Sequence, residues 1–243
     1  MTSVIVPNSA TEIGDNAFED CVKLVNINIP DSVTKIGKFA FKGCLSLTSI
    51  NVPNSVIEIN DYTFSECRNL VDITIPDSVT KIGYNAFSVC ESLKGVTISN
   101  SVNFIDEMAF CNCRKLENIV IPDSVTEIGE NAFKGCTKLK SVSISNSVIK
   151  IGECAFWQCS SLKSIAIPYS LSVIARSTFQ ECISLVDVTI PNSVTKICAS
   201  AFWGCSSLTH IKIPDSVTEI GEMAFDECGF GRNFKKGNDC FAV

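Results

Sequence analysis

The chain has 243 residues, of which 46% are apolar and 19% charged, and its net charge is −6. That balance belongs to a chain that buries a core, which excludes extended disorder, and the acidic sign argues against nucleic acid as a partner. Polar residues or glycine recur every few positions, so no apolar run is long enough to span a bilayer, and the opening MTSVIVPNSA has neither the basic start nor the apolar stretch of a signal peptide.

In chain order, the first predicted element is a strand around Val4. It lacks a preceding partner, so its edge, with Ile5, is expected to invite pairing between two copies of the chain. Ser9 follows, then an Ile-Gly corner of the kind at Ile36 and Gly37, where glycine is expected for its backbone freedom. Asn16 to Cys21 (NAFEDC) places Ala17, Phe18 and Cys21 at one-turn spacing, which predicts a short helical turn facing inward. Leu24 to Pro30 (LVNINIP) alternates apolar and polar residues and stops at a proline, which predicts a strand.

The same unit then recurs. Phenylalanines stand at 18, 41, 64, 87, 110, 133, 156, 179, 202 and 225, always 23 residues apart, and cysteines keep the same step from Cys21 to Cys228. No such unit can bury its apolar side alone, so the units must stack in one register.

Stacking turns every repeat position into a column. Serines from Ser9 to Ser216 form an unbroken one, read as a hydroxyl ladder that bonds loop backbone between coils. The residue before each serine alternates Asn8, Asp31, Asn54, Asp77, and no two aspartates are neighbours. Another column runs Glu12, Lys35, Glu58, Lys81 and resumes at Glu127 and Lys150. Both patterns place unlike groups side by side, which sets register and hints at a doubled unit of two repeats. The column cysteines point the same way in parallel coils, whereas a disulfide needs facing Cβ atoms, so they are read as buried free thiols. Cys111, Cys154, Cys198 and Cys240 lie at other offsets, and Cys111 with Cys113 supplies too few ligands for zinc.

On these residues, IPDSVTKIGKFAFKGC above all, the chain resembles the BspA-like class of leucine-rich repeats over roughly residues 4 to 228. The resemblance implies an α/β repeat fold: a right-handed solenoid with a parallel β-sheet on its concave face and short helical or irregular segments on the convex face. One domain is expected over 1–228, with a non-repeat tail over 229–243 in which Phe230, Phe234 and Phe241 either cap the last coil or stay loose.

Catalysis is not expected. His210 is the sole histidine, and its column reads Ser164, Asp187, His210, with the carboxylate in the middle where a nucleophile triad needs the imidazole. Glycines are spread along the units, mostly at the corners, and form no phosphate-binding loop. No metal or cofactor is implied.

What remains is surface. The concave columns are expected to expose Asn26, Ser49, Asp72, Asn118, Ser141, Asp187 and His210, and beside them Asn28, Asn51, Thr74, Ser143, Thr189 and Lys212. These are small, mostly uncharged groups suited to hydrogen bonding. A second candidate surface is aromatic: Trp157 and Trp203 on the convex side, Phe39 and Tyr62 in another column, and Tyr169, which breaks the Asn/Asp alternation.

BspA-like proteins are chiefly surface or secreted proteins associated with adhesion to extracellular matrix and host proteins. The resemblance therefore implies a non-enzymatic adhesion or protein-recognition solenoid at the cell surface. An intracellular interaction scaffold fits the absent signal peptide and the free thiols. A glycan-binding module ranks lower, because the concave face lacks aromatic platforms, and an ice-binding lattice ranks last.

Overall fold

The structure, a computed structural model, describes residues 2–230. Its backbone is a parallel β-solenoid in which strand partners lie one repeat apart, as Ser3 with Asn26, Asp72 with Gly95 and Glu127 with Lys150. Each full coil has a broad segment after its leucine, such as Asn26–Asn28 or Asn118–Ile121, whose inward residues Ile27, Ile119 and Ile121 are buried. A second, narrow strand of two residues, such as Glu12–Ile13 or Lys35–Ile36, stands where the sequence predicts only a corner.

The expected helical turn is absent: no helix occurs among the described residues. The wall opposite the broad strands is made of consecutive turns. Ala17, Glu19 and Cys21 donate their N–H groups three residues back, to Gly14, Asn16 and Phe18, whereas Asn16, Phe18 and Asp20 donate across to Lys38, Ala40 and Lys42 of the next coil. A helix would send every N–H four residues back along its own chain, and here alternate groups leave for the neighbour. The turns need two left-handed residues per coil, at the positions of Asn16 and Asp20, and every coil supplies them with φ between 53° and 74°. Gly43, Gly135 and Gly204 are the only glycines so used among the described residues; Phe39, Tyr62 and the β-branched Val89 adopt the same conformation.

The corner glycines serve a different purpose from the one the sequence suggests. Gly37 and Gly129 are not left-handed; a Cβ there would sit 2.5 Å from the backbone nitrogen of Asp15 or Glu107 in the previous coil. At these two corners glycine supplies room and not an unusual backbone angle.

Ten phenylalanine rings stack from Phe18 to Phe225 with centroids 5.2–5.6 Å apart. Beside them, each cysteine of the 23-residue column from Cys44 to Cys228 donates its thiol to the carbonyl of the phenylalanine 26 residues earlier, at 3.1–3.3 Å. All described cysteines are free, as their common direction requires. Burial pushes the thiols up, Cys44 and Cys182 to about 12.

The serine ladder forms in most coils. Ser55, Ser78, Ser124, Ser147, Ser170, Ser193 and Ser216 each donate to the carbonyl 22 residues earlier. Ser32 is an exception, its hydroxyl buried without a partner. In the charge column Lys35, Lys150 and Lys196 pair with Glu12, Glu127 and Glu219, while Lys81 reaches instead to Asp106 at 3.0 Å. The expected cap or tail at 229–243 lies outside the described residues beyond 230; Phe230 itself packs edge-on against Phe225 at 6.2 Å.

Candidate interaction surfaces

The broad segments alternate because successive side chains of a strand point to opposite sides. Their isoleucines and valines enter the core, which turns the residues between them outward. Asn26, Asn28, Ser49, Asn51, Asp72, Thr74, Asn118, Ser141, Ser143, Asp187, Thr189, His210 and Lys212 are all exposed, as the sequence predicts, in two adjoining columns. Two large apolar residues interrupt them, Ile5 at 80% and Val120 at 65% exposure. Ile5 is thus exposed as a member of this face. Asn118 and Ser141 are bonded to each other through Oδ1 and Oγ at 2.6 Å.

The face is not uniform. Its strands pair two by two, Asp72–Thr74 with Gly95–Thr97, Asn118–Ile121 with Ser141–Ile144, Ser164–Ala166 with Asp187–Thr189, while Ser49 to Asn51 is not extended into a strand. Over Gly95 the surface drops into a depression lined by Asp72, Thr74, Thr97, Asn118 and Val120. Gly95 is the one glycine in its column, so the depression could have been found in the sequence.

Ser164 pairs directly with Asp187, and the Thr189–Lys212 bridge carries the same register on to His210. The carboxylate therefore sits between serine and histidine; the imidazole Nδ1 lies 3.4 Å from its neighbour Thr209. No group of three or more His, Cys, Asp or Glu able to hold a metal occurs among the described residues. No described helix is long and apolar enough to cross a membrane.

The aromatic candidates fall in separate places. Phe39 stacks on Tyr62 at 4.6 Å, and Tyr62 meets Tyr84 edge-on at 5.2 Å. Trp157 is half-buried, with Lys134 Nζ 3.9 Å above its ring and its indole N–H donating to Glu181 at 3.3 Å. Trp203 is half-buried two coils on, and Tyr169, 71% exposed, stands in the loop after a broad strand. Most of these rings pack against neighbouring coils, which occupies part of the area that an interface would use.

The model of the BspA type leucine rich repeat region matches residues 1–117 and 105–230. The chain belongs to this family. Among solved structures, it is similar to the T. pallidum leucine rich repeat protein TpLRR, with 31% identity over 70% of this chain and 79% of that one and a TM-score of 0.64. A leucine rich cell surface protein of Faecalibacterium prausnitzii is 33% identical over 94% of this chain and 77% of the other, with a TM-score of 0.50. The pneumococcal vaccine antigen PcpA is 26% identical over 90% and 68%, with a TM-score of 0.64. No curated protein matches the chain. The family is of the general protein-interaction and adhesion kind, and its members here are leucine-rich repeat proteins.

Proposed function

We propose that this BspA-type chain is a non-enzymatic recognition solenoid that binds a protein of the extracellular matrix or of a host surface through its broad strand face, the concave side in the family resemblance. The observation that carries this reading is the pair of exposed columns containing Asn28, Thr74 and Ser143. Small hydrogen-bonding side chains are held there on strands whose other side is locked into the core. Such groups lose little rotamer entropy on binding, and a partner strand or loop can lie along them. The solved relatives called a cell surface protein and a vaccine antigen support a surface location.

Binding to immobilised fibronectin and fibrinogen tests the proposal, comparing the wild type with Asn28→Arg, Thr74→Arg and Ser143→Arg combined. Saturable binding that the triple variant loses supports it; binding left intact by the variant removes the broad face from consideration. A second reading, an interaction scaffold in a reducing compartment, is favoured by the free thiols. Absence of binding to either matrix protein would favour that reading.

A further inference from the structure

We infer that the flank entering the broad strands, from Lys94 to Lys163, binds a sulfated polysaccharide. This goes beyond the recognition proposed for the broad face, because it uses other residues and another class of partner. Backbone bonds stack the flank coil on coil: Glu117 N donates to Lys94 O at 3.3 Å, Lys140 N to Glu117 O at 2.7 Å and Lys163 N to Lys140 O at 3.4 Å. On that stack Lys94, Lys140 and Lys163 lie in one column, with Arg114, Lys115 and Lys138 in the adjoining ones, and all six side chains are exposed.

Two carboxylates stand among these columns: Glu91, which precedes Arg114 in its column and lies 3.8 Å from Arg68, and Glu117. The bond of Glu117 to Lys140 Nζ, 2.6 Å long, holds its carboxyl below the usual range, and the charges of Lys94 and Lys138 add to that field. Two carboxylates, one of them shared with Arg68, cannot neutralise six cations. Elsewhere the columns set opposite charges together, as Lys35 with Glu12 and Lys150 with Glu127. Here Lys115 adjoins Lys138 and Lys140 adjoins Lys163, an arrangement that is unfavourable without a counter-charge. The flank is therefore a strongly positive strip on a protein whose net charge is −6.

The strip is linear, with cations repeated at the coil spacing of about 4.8 Å, which suits a linear chain of fixed anions. Its side chains include no Trp, Tyr or Phe. Single-stranded nucleic acid would want such rings for its bases, whereas a sulfated sugar chain is held by charge and needs none. Each lysine that meets a sulfate releases a cation condensed on the polyanion, so affinity must fall as salt rises.

The test is binding of the full chain to immobilised heparin from about 50 to 200 mM salt, a range over which several ionic contacts give a steep loss. Lys115→Glu, Lys138→Glu and Lys163→Glu together are expected to weaken binding more than about tenfold and to flatten the salt slope by roughly three contacts. A control triple of equal charge, Lys35→Glu, Lys150→Glu and Lys196→Glu, should bind as the wild type does, with thermal melts confirming that both variants fold. Chemically desulfated heparin should bind far more weakly. No saturable binding by the wild type, equal loss in both triples, undiminished binding of the desulfated chain, or tighter binding of polyuridylate than of heparin would each overturn the proposal. The broad-face variant adds three cations and should not weaken heparin binding, so loss at one surface is distinguishable from loss at the other.

Discussion

The turn wall and the broad strand face are two sides of the same coils, yet they are held together differently. On the turn wall each phenylalanine N–H crosses to the next coil at every step, from Phe18 to Ala40 through Phe202 to Ala224, with no interruption. On the broad face the strands pair two at a time and one segment, Ser49 to Asn51, does not pair as a strand at all. Register is thus set by the wall, where the rings, the thiols and the left-handed residues repeat strictly. The broad face is relieved of that task, so its outward residues are free to vary without loss of register.

The sharpest way to break this comparison is to damage the wall. Phe133→Ala opens a cavity in a fully buried ring stack and should lower stability by about 3–5 kcal/mol in denaturant titration. A smaller loss there would mean that the stack does not set the register. The thiols supply a pH test. Cys44 and Cys182 have folded values near 12 against an ordinary 9.0, raised chiefly by burial. Above about pH 9 the unfolded chain therefore loses protons that the folded chain keeps, and stability should be full below that pH and fall as pH rises towards 12. A melting temperature flat from pH 8 to about pH 11 would contradict this.

Val89→Gly works in the opposite direction. It relieves a β-branched residue at φ 61°, and a gain of about 1 kcal/mol in denaturation is expected. Ser124→Ala removes one rung of the hydroxyl ladder, bonded to Val102 O, and should cost about 0.5–1.5 kcal/mol. The smallest effect belongs to the broad face: Asn28→Arg, Thr74→Arg and Ser143→Arg should each shift stability by no more than about 0.5 kcal/mol. A loss comparable to that of Phe133→Ala would show that this face also holds the register.

Much of this architecture was legible in the sequence because a column in space is a fixed step along the chain. The phenylalanine and cysteine core columns, the serine ladder and the exposed columns could be read from spacing alone. The turn wall could not, because Ala17, Phe18 and Cys21 have the same spacing whether they lie in a helix or in consecutive turns. The deciding feature, a left-handed residue at two positions per coil, is carried by Phe39, Tyr62 and Val89 as readily as by glycine. The narrow strands escaped notice because two residues such as Glu12–Ile13 are too short to show alternation. Of the surfaces, the polar columns followed from the strand pattern. The basic flank emerged once backbone bonds placed Lys94, Lys140 and Lys163 in one stack.

The crossing bonds of the turn wall have a mechanical meaning. Because they run between coils, a pull applied at the two ends loads them one coil after another and not all at once. Each coil that peels away releases its 23 residues, a gain of about 75 Å in contour length. A tether built this way yields in equal steps and dissipates work at each one, and single-molecule stretching would display it as a regular sawtooth.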